Sequence, residues 1–276
     1  KRLQNPRSRL LVRQATGKDI PAIAALTEKV YGGTGIEPYS EGLVTGQINN
    51  FPAGKFVAVI DDLVVGYCAT FRISEEVGLQ PHTWTEITGN GYASRHDPHG
   101  DWLYGMEVCV DPDYRGYRIG QRLYNARKAL CESLGLKGIV FAGRLPTLEQ
   151  RLKKYASVEG YVEAVKEKKQ RDPVLSFQLR NGFEIIGVIP GYLDQDRPSM
   201  GYGIHQIWRN PKVPQDQIRK LLGDDPRGDV DALEVWRRVA KRWHVSRRWQ
   251  RRWTPWSRPW RTEGRSPARP GAGGFS

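Results

Sequence analysis

The sequence predicts a mixed α/β domain in which helices flank one mixed sheet. Short runs rich in β-branched residues alternate with segments whose apolar residues recur at helical spacing. Two strand-like runs separated only by Asp61-Asp62 predict an antiparallel hairpin. Residues 108–130 instead predict a strand that passes through a small-residue loop into a helix, as in α/β proteins. No apolar stretch approaches the ~18 residues of a membrane-spanning helix, so we expect no membrane span.

The first half of the chain predicts a strand, two helices and three further strands. Thr16 and Ser40 are typical N-cap residues for the two helices, and Pro52 ends the second one. We expect strands at 10–14, 56–60, 63–69 and 102–110, and helices at 16–30 and 40–51. Residues 74–100 form a long loop, and loops of this length are usually functional or disordered.

The second half predicts a helix, a strand, a second helix and two closing strands. Apolar residues from Ile119 to Leu130 trace one face of a helix that Gly135 ends. Asp172-Pro173 is a strong start for the later helix, since an acid caps it and proline suits its first turn. We expect a helix at 119–134, a strand at 138–142, a charged and solvated helical segment at 149–169, a helix at 172–180, and strands at 183–189 and 202–208.

Composition divides the chain into four parts. We expect an N-terminal leader at 1–9, the folded domain at 10–210 with an insertion at 144–171, a linker or helix at 211–235, and a disordered basic tail at 236–276. The leader is basic but has no apolar core, so it does not predict a secretory signal. The chain begins with Lys1 rather than Met, so we expect the true N-terminus to lie upstream.

The tail holds most of the net positive charge. Residues 236–276 contain twelve Arg and Lys against one acid, and six of the nine tryptophans, so the rest of the chain is nearly neutral although the net charge is +13. Such a tail could bind nucleic acid through phosphates and base stacking, or lie on an anionic membrane. An out-of-frame reading of a GC-rich gene produces the same composition. We rank an artefact or a disordered appendage above nucleic-acid binding, which would involve the tail alone.

The three cysteines, Cys68, Cys109 and Cys131, lack paired spacing. Such usage is typical of buried thiols in a reducing compartment, which predicts a cytoplasmic protein. The nearly neutral domain has no strong field to select an acidic or a basic partner. Neither the identity of an acceptor nor the oligomeric state follows from the sequence.

An anion-binding loop is the most informative feature of the chain. A strand ending at Val110 and a turn at 111–113 lead to residues 115–120, RGYRIG, and then directly into a helix. Backbone N–H groups at a helix start lack intrahelical acceptors, and the helix dipole and the arginines add positive charge. This combination suits a pyrophosphate, although the spacing is neither the dinucleotide fingerprint nor a P-loop.

The spacing of this loop is close to R-x-x-G-x-G/A and resembles the acetyl-CoA loop of the GNAT family of N-acetyltransferases. The run FQLRNGF at 177–183 is similar to the F-Y-x-x-x-G-F of many members. Five runs resemble a subgroup often fused ahead of a carbon-nitrogen hydrolase (nitrilase-like) domain: HTWTEITGNG, HDPHGDWLYG, NARKALCESLGLKGIVFAGRLP, DPVLSFQLRNGF and MGYGIHQIW. The resemblance implies a GNAT-like acyl-CoA N-acyltransferase fold over 10–210, with too few residues after it for a hydrolase.

Two residues depart from the family pattern. Arg118 stands where glycine is usual, and we expect it to adopt an unstrained conformation with its guanidinium near a CoA phosphate. Gln178 stands where many members carry the tyrosine that protonates the leaving thiolate, and an amide cannot supply that proton. The general acid is then Ser176, Tyr192 or solvent.

The resemblance also implies where acetyl-CoA binds and which groups act. A backbone N–H of Cys109 or Val110 is expected to bind the thioester oxygen. Glu107 is expected to be the general base, directly or through water, with its side chain facing away from Met106 and Val108. The alternative for Glu107 is a strand-edge carboxylate paired with an arginine. The expected residues of the acetyl-CoA site are Val108, Cys109, Val110, Arg115, Gly116, Tyr117, Arg118, Ile119 and Gly120.

The long loop carries a polar group of residues: His82, His96, Asp97, His99 and Asp101. His96 and His99 could bind a metal, but acyl transfer needs none. The Gly-Asn-Gly and Asp-Pro runs around them are typical of turns. We therefore expect no metal site, and we expect the loop to shape an acceptor pocket.

The sequence thus predicts an enzyme, an acetyl-CoA-dependent N-acetyltransferase in which an amine attacks the thioester directly in a ternary complex. The amine is either a small molecule or a protein. A different hypothesis, suggested by Arg118 and Gln178, is an acyl-CoA-binding regulatory module with little turnover. A third is nucleic-acid or membrane binding through the basic tail.

Overall fold

The computed structural model describes residues 10–213; the expected leader, most of the linker and the whole tail lie outside them. Within this range the chain forms one seven-stranded sheet with strand order β1-β2-β3-β4-β5-β7-β6. The strands are β1 (Leu10–Gln14), β2 (Lys55–Ile60), β3 (Leu63–Ile73), β4 (Trp102–Val110), β5 (Gly138–Gly143), β6 (Glu184–Ile189) and β7 (Gly203–Arg209). The helices are α1 (Ile20–Tyr31), α2 (Glu41–Asn50), α3 (Glu75–Gly78), α4 (Trp84–Thr88), α5 (Ile119–Ser133), α6 (Leu148–Arg151), α7 (Val158–Lys166) and α8 (Leu175–Arg180).

The predicted mixed α/β fold is confirmed, and most element bounds differ by only a few residues. The expected long loop contains α3 and α4, because Thr83 and Glu86 form a reciprocal capping box that begins α4. Asp172 accepts from the N–H groups of Val174 and Leu175 at 3.0 and 2.9 Å, so α8 begins three residues after the expected cap. None of the helices within residues 10–213 is long and apolar enough to cross a bilayer.

A gap opens in the middle of the sheet. β4 and β5 are its parallel pair, and their register runs only from Trp102↔Gly138 to Tyr104↔Val140. β4 continues to Val110 and β5 to Gly143, so the two strands part beyond these pairs. The second half of β4 therefore has one edge whose backbone groups are free of β5.

A β-bulge lies in β4 at the point where the strands part. Ala69 pairs with Glu107 and Thr70 pairs with Gly105, so Met106 is an extra residue on β4. Met106 packs in the core beneath α1 and α2, and the Glu107 carboxyl is bound on the same side. The expectation that Glu107 faces away from Met106 is wrong, because the bulge interrupts the alternation of side chains along the strand.

Helices cover both faces of the sheet. α1 and α2 pack with the larger apolar core on one face, and Ile119 and Leu123 of α5 pack on the other. The insertion is not a simple solvated helix. It folds as α6, a 3₁₀ turn and α7, and its apolar side buries Val162 and Val165 in a separate cluster against the C-terminal part of the domain.

Candidate functional site

The Glu107 carboxylate is held by two tyrosines on the face of the sheet that α1 and α2 cover. Tyr31, the last residue of α1, donates its hydroxyl to Oε1 at 2.7 Å. Tyr39, which lies just before α2, donates to Oε2 at 2.7 Å. Both rings are buried, whereas Glu107 itself is partly exposed. The tyrosines occupy one lone pair on each oxygen and leave the carboxylate able to accept a further proton.

Burial raises the pKa of Glu107 above the usual value for a glutamate. The hydrogen bonds from Tyr31 and Tyr39 and the charge of Arg144 lower this pKa, but only in part. Within residues 10–213 Glu107 takes part in no ion pair, and Arg144 pairs with Asp196 at 2.6 Å. The alternative of a strand-edge carboxylate paired with arginine therefore does not describe this residue, and a raised pKa makes its carboxylate a stronger base.

Arg127 of α5 fixes the backbone at the bulge, and sequence reasoning missed it. Its Nη2 donates to the carbonyl of Glu107 at 2.7 Å and to that of Ala69 at 3.1 Å. The side chain is 2% exposed, and a Cβ at Gly105 would crowd it. A signal was available: Arg127 follows Leu123 by four residues on the apolar face of the helix. Its role is to satisfy two carbonyls that the bulge removes from the regular ladder.

The alternating direction of N–H groups along β4 decides which of them faces the gap between β4 and β5. Asp111 N–H donates to Val65 of β3 at 3.0 Å. N–H directions alternate along a strand, so Cys109 N–H points toward β3 as well, and those of Val108 and Val110 point away from it. Of the two expected donors to a thioester oxygen, Cys109 and Val110, only Val110 faces the gap.

The loop at 115–120 is anchored by the turn that precedes it. Asp111 accepts from the N–H of Asp113 at 2.9 Å, and Lys29 of α1 bridges both carboxylates at 2.9 and 2.7 Å. Gly116 then adopts φ +93°, a conformation that favours glycine, and a Cβ there would meet nothing within 4 Å. The loop thus has open space beside its backbone, as a bound pyrophosphate requires.

Arg118 does not adopt the unstrained conformation expected from the sequence. It is the N-cap of α5 with φ +60° and ψ +24°, in the left-handed region. The chain must turn sharply here to bring the first N–H groups of α5 to face the loop, which explains why the family uses glycine. Arg115 and Arg118 of the loop and Arg122 in the first turn of α5 are exposed, and Arg122 donates to the carbonyl of Leu10 at 3.1 Å. A helix start with such charges fits the phosphates of CoA.

We expect Arg118→Gly to raise the free energy of unfolding by about 0.5–1 kcal/mol, since relief of the left-handed conformation exceeds the entropy cost of glycine. Arg115→Gly is the matched control: it removes an exposed arginine from the same loop, at φ −66°. That control should destabilise the protein slightly. Urea denaturation of both variants measures the change in the free energy of unfolding. A loss of stability in Arg118→Gly would contradict the prediction.

Tyr192 lies in a chain of buried hydrogen bonds. The carbonyl of Gln80 can only accept, so His82 donates to it from Nδ1 at 2.6 Å. Burial lowers the pKa of His82 to about 4, so its neutral Nε2 accepts from Tyr104 at 2.8 Å. Tyr104 in turn accepts from Tyr192 at 3.0 Å. The single proton of Tyr192 thus points inward, which does not favour its expected role as general acid.

Ser176 is also placed for structure rather than for proton transfer. Its Oγ accepts from the N–H of Asp172 at 3.2 Å in the turn before α8. No hydrogen bond in the described part of the chain joins Ser176 to Glu107 or to the loop at 115–120. Ser176 accepts in this bond and keeps its hydroxyl proton, but no hydrogen bond among the described residues joins it to Glu107, whereas Tyr192 directs its proton to Tyr104.

The histidines of the long loop are separated. His82 is buried in the chain just described, His96 stacks on Phe51 and accepts from Arg72 N–H, and His99 is exposed. No group of three or more His, Cys, Asp or Glu that could hold a metal occurs in the described residues. Of these three histidines, only His82 belongs to the hydrogen-bonded chain that includes Tyr104 and Tyr192.

Gln178 is a buried amide at the end of β5. Its Oε1 accepts from Gln206 Nε2 at 2.6 Å, and a Cβ on Gly143 would overlap it. This position is where the family pattern places tyrosine, and the structure locates it at the mouth of the gap between β4 and β5.

Comparisons with known proteins agree with this geometry. The model of the acetyltransferase (GNAT) family matches residues 25–156. The probable hydrolase YhcX of Bacillus subtilis (strain 168) is 37% identical over 212 residues, which cover 77% of this chain and 41% of that protein. The uncharacterized N-acetyltransferase YkwB of the same strain is 33% identical over 203 residues, covering 73% and 89%. The match to part of a longer hydrolase is consistent with the predicted subgroup.

Two solved structures share the fold. The GphF GNAT-like decarboxylase in complex with isobutyryl-CoA is 26% identical, with a TM-score of 0.65 over 72% of this chain and 99% of that one. The loading GNATL domain of CurA from Lyngbya majuscula is 19% identical, with a TM-score of 0.61 over 73% and 98%. The chain spans less than half of the first relative, YhcX, but 89% of YkwB. Together with the gap between β4 and β5 and the loop at its mouth, these matches show that the chain belongs to the GNAT family and is an acyltransferase.

Proposed function

We propose that the protein transfers an acetyl group from acetyl-CoA to the nitrogen of an amine, by direct attack in a ternary complex. The observation that carries this proposal is the placement of Glu107. Its carboxylate lies on β4 where the strand parts from β5, two tyrosines hold it, and burial raises its pKa. Direct transfer needs a base beside the gap that receives the thioester.

We assign a group of the chain to each step of this transfer. The first N–H groups of α5 and the arginines around them would hold the pyrophosphate. Val110 N–H would donate to the thioester oxygen as it gains charge. Glu107 would take the proton of the attacking amine, directly or through one water, because a free amine with a pKa of about 10.4 is mostly protonated at neutral pH. Acetyl-CoA supplies only the activated acyl group.

The charge on the acceptor side favours an amine. Arg144 is neutralised by Asp196 through two hydrogen bonds of 2.6 Å. Glu107 has no such partner among residues 10–213 and is surrounded by the phenols of Tyr31 and Tyr39. A lone carboxylate in an aromatic wall attracts a cationic group before deprotonating it. The acceptor is therefore an amine of a small molecule or a protein.

A second candidate is decarboxylation of an acyl-CoA, since GphF is named a GNAT-like decarboxylase and its structure holds isobutyryl-CoA. Gln178 favours it: decarboxylation leaves the thioester bond intact, so no acid is needed where the family pattern has tyrosine. An acyl-CoA-binding module with little turnover has the same support from Gln178. The test must separate these outcomes from amine acetylation.

Calorimetric titration with acetyl-CoA, followed by thiol release with a panel of polyamines, amino acids and peptides, tests the proposal. We expect binding and amine-dependent release. Carbon dioxide released from malonyl-CoA without an amine would favour decarboxylation, and binding without turnover would favour the regulatory module. Absence of binding, with no rise in melting temperature, would reject every acyl-CoA proposal.

We also propose a cytoplasmic location. Cys68, Cys109 and Cys131 are all free and buried. Free thiols are typical of a reducing compartment, where acetyl-CoA is also available.

The hydrogen bonds from Tyr31 and Tyr39 to Glu107 predict the direction in which the pH profile of kcat/KM shifts when either hydroxyl is removed. Their hydrogen bonds lower the pKa of Glu107, so Tyr31→Phe or Tyr39→Phe raises it further. Because the base must be ionised, the acidic limb of the pH profile of kcat/KM moves to higher pH. At pH values below this limb, the variant is less active than wild type. Tyr155→Phe is the control, since this phenol binds Gln170 in the insertion. A limb that stays in place, or moves to lower pH, would contradict the assignment of Glu107 as base.

A further inference from the structure

The bulge in β4 decides which side of the sheet the Glu107 carboxyl faces. Along a regular strand, successive side chains alternate between the two faces. Tyr104 packs in the core beneath α1 and α2, whereas Gly105 faces α5, since a Cβ there would lie 2.5 Å from Nη1 of Arg127. Met106 returns to the core, and the bulge lets Glu107 stay on that side as well. In a regular strand one of these two side chains would turn toward α5.

Arg127 joins β3 to β4 at this bulge. Its Nη2 donates to the carbonyl of Glu107 at 2.7 Å and to that of Ala69 at 3.1 Å. Ala69 and Glu107 are the cross-strand pair that directly follows the extra residue, Met106. One donor group therefore holds both strands at the register position that the bulge shifts.

The burial of Arg127 is poorly explained by stability alone. Its side chain is 2% exposed. Within residues 10–213 it forms no ion pair, and its Nε has no hydrogen-bond partner. The ring of Tyr124, 5.5 Å from the guanidinium carbon, compensates the charge only in part. Burying a cation without an anion is costly. The backbone geometry that this cation imposes on β4 is the better explanation for its presence.

We propose that Arg127 is a positioning residue for the transfer reaction. By holding the bulge it keeps the Glu107 carboxyl on the side where Tyr31 and Tyr39 bind it. Arg127 thus acts through Glu107 rather than on the substrates. The inference rests on the proposed transfer to an amine, with Glu107 as the base. Without Arg127, β4 is expected to regain regular pairing with β3, which turns the carboxyl away from its two tyrosines.

Arg127→Met tests this role, because it removes the guanidinium and keeps a long apolar side chain. We expect kcat to fall about tenfold or more, while the Kd for acetyl-CoA, measured by calorimetry, stays within about threefold. Arg127→Lys keeps a buried donor for these carbonyls and should recover at least about threefold of the lost kcat. Lys128→Met is the matched control. It removes the neighbouring cation of α5, which donates to the carbonyl of Asn181 at 2.6 Å, and should keep kcat within about twofold of wild type.

A double-mutant cycle with Glu107→Gln separates positioning from a merely structural role. If Arg127 acts through Glu107, adding Arg127→Met to Glu107→Gln lowers kcat by less than about threefold more. An equal loss in both backgrounds would show that Arg127 acts independently of the carboxylate, which overturns the proposal. Gly105→Ala displaces the guanidinium without deleting it, and the same cycle is run with this variant if Arg127→Met does not fold.

The outcomes separate this inference from the function on which it rests. If wild type releases no CoA with any amine, the proposed function fails and the positioning role fails with it. If wild type is active and Arg127→Met is equally active, only the role of Arg127 is overturned. A crystal structure of Arg127→Met in which Glu107 still accepts from both tyrosines would also overturn that role, whatever the turnover of the variant.

Discussion

Glu107→Gln is expected to lower kcat/KM by about 10²–10³-fold at neutral pH, the usual contribution of a general base. The amide has the same shape, and its oxygen can still accept from one of the two tyrosines that hold the carboxylate. It cannot take a proton from the amine. The affinity for acetyl-CoA, measured by calorimetry, should stay within about twofold, because no phosphate contact changes.

Glu184→Gln is the matched control for this change. It is the same substitution on an exposed residue of β6 that pairs with Arg209. This variant should keep wild-type kinetics. A loss of less than about threefold in Glu107→Gln would show that the carboxylate is not the base and that solvent or another group takes the proton.

Asp172→Ala is expected to lower the free energy of unfolding by about 3–5 kcal/mol, the largest effect on stability that we predict. The carboxylate is fully buried. It accepts from Thr147 and Tyr161 at 2.9 Å each, and from the N–H groups of Val174 and Leu175 at 3.0 and 2.9 Å. It thus joins the insertion to the start of α8, and alanine leaves several buried donors without an acceptor.

Thermal and urea denaturation check this value. A loss of this size corresponds to a drop of about 10 °C in Tm for a domain of this length. Asp172→Asn should lose less, since its oxygen keeps some of the bonds. Glu163→Ala, which removes an exposed ion pair with Lys166, is the control and should change stability by less than about 0.5 kcal/mol. A loss below about 1 kcal/mol in Asp172→Ala would mean that water replaces the carboxylate at low cost.

The fold could be predicted from the sequence because its signals are local. The bounds of β1 and β4 follow from short runs of β-branched and aromatic residues, and the turn at Asp61-Asp62 follows from its length. The bulge at Met106 could not be predicted, because it depends on the register with β3 rather than on the sequence of β4 alone. That one inserted residue decides which way Glu107 faces.

The candidate site, like the fold, has a part that the sequence predicts and a part that it does not. Residues 115–120 are a continuous motif, and the structure places them between the turn after β4 and the first turn of α5. Tyr31, Tyr39 and Arg127 come from other elements and reach β4 only through the tertiary fold. Sequence spacing carries no information about such distant contacts. The strain at Arg118 was also hidden, since the local pattern shows a missing glycine but not the turn that the chain must still make.

The last turn of α1 contacts both parts of the proposed site. Lys29 holds the turn that leads into the phosphate-binding loop, and Tyr31, two residues later, holds the carboxylate of Glu107. The loop at 115–120 and the Glu107 carboxylate therefore share one support. For the proposed transfer we therefore expect a displacement of this turn to disturb the loop at 115–120 and the hydrogen bond to Glu107 together. Under that proposal, binding of either substrate is expected to change the affinity for the other by the same factor.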